Sequence, residues 1–208
     1  MAKAKKAQEK SDKRNRNLTW WFFGISIAAL TLSFLLDDAC FAFVELIKNP
    51  VLDFLMGAIM SFWSVISAAL FLTVILYAVK QHRYAPWMWL SIVVSWVLCY
   101  CLKFAFNRPR PEDILISLPL IGANDTSFPS GHATTAAAMV PAMGKALPAL
   151  TWLWICIAAV FAFSRVYLGV HHLSDVVAGF VLGFAVGELM LALKAKWEQR
   201  KTHAKARR

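Results

Sequence analysis

Three short clusters in this chain hold side chains that could handle a phosphate. Lys103-x6-Arg110-Pro111 closes one apolar run, Pro129-Ser130-Gly131-His132 opens another helix, and Ser164-Arg165-x5-His171-x3-Asp175 straddles a junction between two more apolar runs. An ionisable residue inside a membrane span costs about 2.5–3.5 kcal/mol on insertion scales, so such residues call for a reason. For Lys103 or Arg165 alone, snorkelling to the lipid head groups is reason enough. With Arg110 they make three cations on one face, and an anion site accounts for them better. Ser130 and Gly131 precede a helix whose free N–H groups and positive dipole end suit a phosphate, and Gly131 lets the backbone come close to it. If residues 171–175 are helical, His171 and Asp175 share one face. The carboxylate can then hold one ring N–H and leave the other nitrogen as a nucleophile. His132 follows the cradle. One histidine would read as structural; two, with an acid and three cations on one membrane face, resist that reading.

These clusters need elements to carry them. Of 208 residues, 59% are hydrophobic and 16% charged, too few charges to wet the surface of a soluble domain. The apolar runs predict an all-α membrane protein of six transmembrane helices: 18–36, 54–79, 87–106, 132–147, 149–168 and 175–193. Trp20 and Trp21 sit as interface aromatics, Asp37 and Asp38 end the first span, and residues 39–53 suit a short interfacial helix. The fourth helix is rich in Ala and hydropathy alone could miss it.

The net charge is +10, but residues 1–17 carry +5, residues 194–208 carry +6, and everything between sums to −1. Two basic cytoplasmic tails, 1–17 and 194–208, therefore flank a six-helix domain at 18–193, with anionic head groups as the tails' partners. Both termini inside require an even number of crossings, and six is met only if the fourth helix crosses. The clusters then share the outer face, where Arg108 and Arg110 run against the usual charge bias and so ask for a local explanation. The tails lack interleaved aromatics, and no nucleic-acid role is expected.

Other features carry less. Gly179, Gly183 and Gly187 form a doubled GxxxG in the sixth span, either a dimer seam or an intramolecular contact. Cys40, Cys99, Cys101 and Cys156 include no CxxC pair; Cys99, Cys101 and Cys156, in apolar runs, read as packing residues. The apolar stretch 114–121 is too short to cross, and Asn124-Asp125-Thr126 is a glycosylation sequon.

In order and spacing, the three clusters resemble the signature of the type-2 phosphatidic-acid phosphatase superfamily, which includes bacterial isoprenyl-diphosphate phosphatases and, on soluble scaffolds, acid phosphatases and vanadium haloperoxidases. SRVYLGVHHLSD matches its third motif at the fixed positions. The resemblance implies a membrane lipid phosphatase. In it His171 would attack phosphorus, Asp175 would orient His171, and His132 would protonate the leaving oxygen. Lys103, Arg110, Ser130, Gly131 and Arg165 would hold the phosphoryl oxygens. It implies no cofactor and no metal, and no glutamate or cysteine joins the His–Asp cluster as a further ligand. His172 stands where many members have an aromatic residue and receives no role; Arg108 could bind a head group. A neutral His171 and a protonated His132 imply a bell-shaped pH profile. Candidate substrates are an isoprenyl diphosphate of undecaprenyl type, favoured by the chain's short length, and phosphatidic acid or phosphatidylglycerophosphate. A lipid phosphotransferase or a non-catalytic lipid binder on the same scaffold are the alternatives.

Overall fold

The structure is a computed structural model that describes residues 20–60, 62–111 and 126–206. The N-terminal tail, the apolar stretch 114–121 and residues 124–125 of the sequon lie outside the described residues. Among the described residues, eight helices follow in order: α1 Trp20–Leu35, α2 Asp37–Ile47, α3 Pro50–Met60, α4 Phe62–Ala78, α5 Ala85–Phe106, α6 Gly131–Ala146, α7 Thr151–Tyr167 and α8 Leu173–Ala206. Short 3-10 turns precede α5 and α7.

Three stretches, His82–Phe106, Pro148–Tyr167 and Leu173–Lys205, are long and apolar enough to cross a membrane, or five if each of the bent pairs α1–α2 and α3–α4 is one crossing. The expected fourth crossing is α6. Its 16 residues rise only about 24 Å, short of a hydrocarbon core of about 30 Å. Its weak hydropathy has a structural cause. Nearly the whole of α6 is buried, and the buried residues include Ala133, Thr134, Ala136, Ala137, Ala138 and Ala142. A helix packed against α5, α7 and α8 takes small side chains where backbones come close, with Met139, Val140 and Met143 filling its remaining buried faces, whereas lipid-facing helices carry large ones throughout. Phe104 is 90% exposed and Trp152 78% exposed. Large apolar groups outside and small ones inside are the pattern of a bundle that meets lipid rather than water.

The α8 glycines serve this enclosure. A Cβ at Gly179 would lie 2.5 Å from the Ser130 carbonyl oxygen, and one at Gly183 only 2.0 Å from that of Thr134. The doubled GxxxG is thus occupied within the chain, as the seam between α8 and α6.

The region expected as a single interfacial helix over 39–53 is instead two helices. The first, α2, continues α1 after a 67° bend at Leu36. The second, α3, starts anew because Asn49 caps it. The Asn49 Oδ1 accepts from Val51 N at 3.1 Å and Leu52 N at 3.0 Å, with Pro50 in the first helical position. At the other end of the chain, α8 does not stop at 193 but runs to Ala206. Lys194 is buried there, paired with Glu198 and set 4.7 Å over the Tyr84 ring, so the basic segment begins as packed helix.

Candidate functional site

The site is assembled at three helix ends. The turn from α7 into α8 follows from Gly169. It has φ 66°, a conformation glycine adopts without Cβ strain. The Gly169 N–H donates to Val166 O at 2.8 Å and Val170 N–H to Arg165 O at 3.0 Å, the paired bonds of a Schellman motif. The chain passes from α7 to α8 over residues 168–172, and His171 N–H also donates to Arg165 O at 3.2 Å. On the far side, Asp175 is the third residue of α8 and accepts the His172 N–H on Oδ2 at 2.9 Å, as an acid does in a capping box. Local rules alone bring Arg165, His171 and Asp175 to one turn.

Within it, His171 is 2% exposed, and its Nδ1 lies 3.4 Å from Asp175 Oδ2. Its Nε2 lies 3.4 Å from the Arg110 guanidinium, which also donates to Val170 O at 2.8 Å. A ring with Nδ1 toward a carboxylate and Nε2 toward a guanidinium fits the Nδ1–H tautomer, with a bare lone pair on Nε2. Burial pulls the His171 imidazole down from its usual value to about 3; Arg110 and Arg165 push the same way, and Asp175 opposes them.

The second helix end is that of α6. Ser130 is its N-cap in extended conformation, and the Ser130 N–H donates to Asp175 O at 2.9 Å, which ties the cradle directly to the acid. Ser130 Oγ is buried and has no hydrogen-bond partner among the described residues. It does not cap α6, so it is not committed to backbone. A Cβ at Gly131 would make only ordinary contact with Cys99 Sγ at 3.9 Å, so the glycine is not demanded by its protein neighbours. His132 follows at the start of α6, half-buried.

The third end is that of α5. Asn107 takes the left-handed conformation at φ 43° and releases the chain from the helix. Lys103, in the last turn, is buried and donates to Thr126 O. Ser127 N–H donates to Arg108 O at 2.8 Å and Ser127 Oγ to Pro109 O at 2.9 Å, so the segment before the cradle is strapped to the Arg-Pro segment.

The structure thus joins Arg110, His171, Asp175 and Ser130 through direct contacts, with Arg165 beside them, and sets Lys103 and His132 on the same helix ends. Three further residues belong to the cluster. Arg108, ambiguous in sequence, turns inward to Asp175 Oδ1 at 2.8 Å, Ser174 Oγ at 2.6 Å and Asp37 Oδ2 at 2.9 Å. Ser174 and Asp37 were not expected. Asp37 reads in sequence as the polar end of a span. The one available signal was the pair of arginines, Arg108 and Arg110, in the connection after α5, which asks for a buried acid as partner.

An all-helical bundle with a histidine–acid pair beside an arginine and a helix N-terminus defines a class of helical phosphate-handling proteins. Residues 84–199 match the model of the PAP2 superfamily, more than half of the chain, and the chain belongs to that family. It is 35% identical over 99 residues to a decaprenylphosphoryl-5-phosphoribose phosphatase of Mycobacterium tuberculosis, covering 47% of this chain and 54% of that one. It is 29% identical over 143 residues to an undecaprenyl-diphosphatase of Bacillus subtilis, covering 68% and 74%. The chain therefore spans about half the length of the first relative. A crystal structure of a transmembrane PAP2 type phosphatidylglycerolphosphate phosphatase from Bacillus subtilis superposes with a TM-score of 0.65 at 27% identity, over 86% of this chain and 95% of that one.

Proposed function

We propose that the protein is a membrane phosphatase that removes phosphate from a lipid phosphate or diphosphate through a phosphohistidine. The observation that carries this is the His171 ring, fixed between Asp175 and Arg110 with Nε2 turned to the cation. His171 Nε2 attacks phosphorus, the bond from phosphorus to the lipid oxygen breaks, and that oxygen takes a proton from His132. Asp175 steadies the imidazolium. Lys103, Arg110 and Arg165, with Ser130 and the N–H groups following Gly131, bind the phosphoryl oxygens, where cations and helix N-termini stabilise the transferring group. Water then attacks phosphorus and gives its proton to His132, the P–N bond breaks, and inorganic phosphate leaves.

For substrate we favour an isoprenyl diphosphate, because the Bacillus subtilis relative covered to 74% is named an undecaprenyl-diphosphatase. We place the site on the outer face, with six crossings, α6 included, and both basic ends at the cytoplasmic head groups. Phosphate release in detergent with EDTA tests the reading on an isoprenyl diphosphate, phosphatidic acid, phosphatidylglycerophosphate and a soluble phosphate ester. Fast release from the isoprenyl lipid is expected. Faster release from a glycerolipid would overturn the substrate, and no release from any would overturn the hydrolase. Label passing into a second lipid would instead mark a phosphotransferase.

The pH profile of kcat/KM follows from the burial of His171. A nucleophile must be neutral, and a pKa near 3 keeps this imidazole neutral in the free enzyme well below its ordinary range. The acid limb of the expected bell therefore moves down, toward pH 3, while the basic limb reports loss of the His132 proton. After correction for the substrate's own ionisation, kcat/KM should not fall between pH 7 and 5. An acid limb at about 6.5, the ordinary histidine value, would contradict the role given to the buried ring.

A further inference from the structure

The pairing of His171 with Asp175 is long, at 3.4 Å, so other contacts must aim the carboxylate: the His172 N–H holds Oδ2 at 2.9 Å, and a second hold lies on Oδ1. Asp175 Oδ1 is held at 2.8 Å by Arg108, and Ser174, its neighbour in α8, donates its hydroxyl to Asp37 Oδ2 at 2.6 Å and its N–H to Asp37 Oδ1 at 2.8 Å. Arg108 completes the ring by donating to Asp37 Oδ2 at 2.9 Å. Its guanidinium lies 5.2 Å from the centre of the Phe34 ring. One guanidinium thus bridges two carboxylates, and both are buried: Asp175 0% and Asp37 7% exposed. Asp37 also serves as a remote cap, because His172, which precedes α8, has no side-chain oxygen for the Ser174 N–H; a negative charge is favourable at that helix end.

From this network we infer that Asp37 and Arg108 are positioning residues of the site: Asp37 orients Arg108, Arg108 fixes the rotation of the Asp175 carboxylate, and that rotation points Oδ2 at His171 Nδ1. The inference rests on the phosphohistidine reading. It reassigns Arg108 from head-group binding to internal support. It also extends the working site to the α1–α2 elbow, outside the stretch 84–199 that the family model covers. A tether that only held α1 and α2 to the bundle would predict loss of stability without a specific change at His171.

The test measures kcat and KM on the soluble ester and the isoprenyl diphosphate for wild type, Asp37→Asn, Arg108→Gln, the double variant and His171→Ala, with elution profile and Tm checked for each. Each single variant at the network should lower kcat by about 10- to 100-fold with KM within about twofold, because a misaimed carboxylate affects the chemical step. The double variant should lose little more than Arg108→Gln alone, since the two act in series. Multiplying losses, a rise in KM alone, or a folded Asp37→Asn with wild-type kcat would each overturn the inference. If Asp37→Asn does not fold, Ser174→Ala decides: it removes the hydroxyl shared by Asp37 and Arg108 and keeps the N–H bond. A fall in kcat of about fivefold with unchanged KM is expected, and unchanged kcat overturns the inference. Protein labelled with ¹⁵N-histidine gives a readout independent of turnover. Wild-type His171 should be a single Nδ1–H tautomer, and the Asp37→Asn or Ser174→Ala protein a mixture; an unchanged tautomer overturns the inference. If wild type releases no phosphate from any substrate, the phosphatase reading fails while these shifts still decide the positioning.

Discussion

Replacing His171 by alanine should lower kcat for phosphate release by roughly four orders of magnitude or more, the range in which loss of a covalent nucleophile falls. The reason is chemical, because nothing else in the turn can take the phosphoryl group. Asp175 is engaged by Arg108 and by the His172 N–H, and His172 itself is turned with Nδ1 3.3 Å from Asp175 Oδ2 and its ring against Phe41. The fold should survive. His171 sits in a connection whose shape is set by backbone bonds at Gly169, Val170 and Asp175, none of which needs the imidazole. Lipid binding should survive as well, since the anion site keeps its cations. The measurement is kcat on the preferred lipid beside Tm and a binding isotherm for the same lipid. Radiolabel on wild type that survives a rapid alkaline quench and is lost in acid, and that is absent from the variant, would identify the phosphohistidine. Release within tenfold of wild type by a folded variant would require another nucleophile.

The second large effect falls on the fold. Alanine at Gly183 would place a Cβ 2.0 Å from Thr134 O, 2.8 Å from its carbonyl carbon and 3.0 Å from Ala138 N. All three atoms are backbone, so no side chain can swing aside and α8 must move away from α6. Overpacking of this kind costs about 1–3 kcal/mol or more, which should lower Tm by about 5 °C or more, or prevent recovery of monodisperse protein. Activity should fall further than stability, because the Ser130 N–H to Asp175 O bond lies at the head of the same seam. Gly24→Ala is the control. Its Cβ would meet nothing within 4 Å, and alanine is the better helix former, so Tm should hold or rise slightly. Equal melting temperatures for the two variants would mean that the seam is looser than 2 Å contacts allow.

Much of this protein was legible in its sequence, because the signals are local. Helix-forming apolar runs, Asp175 four residues after His171, and Ser130-Gly131 ahead of α6 each act within a few residues along the chain. The motif spacing carries them into the right relation. The Ala-rich α6 could be placed as a helix, but its reason for being Ala-rich could not be read, since that reason is a neighbour on every side. The glycines of α8 posed the same difficulty. Their period of four announces a close contact without naming the partner, and the tertiary structure supplies it as α6. The break at Asn49 was written in the Asn-Pro pair, yet the long apolar run around it hid the break.

By itself, the sequence determined the class of the protein, its helical elements, and the turn that sets Arg165, His171 and Asp175 together, because each of those rests on bonds between residues close in the chain. Only the tertiary structure decided which cation faces the imidazole and which one braces the carboxylate. Arg108 and Arg110 are two residues apart and chemically identical; the spacing from Lys103 singled out Arg110, but nothing along the chain said what Arg108 would meet. What separates them is Asp37, from 71 residues earlier in the chain, which draws Arg108 inward beneath Asp175 and leaves Arg110 at the His171 ring.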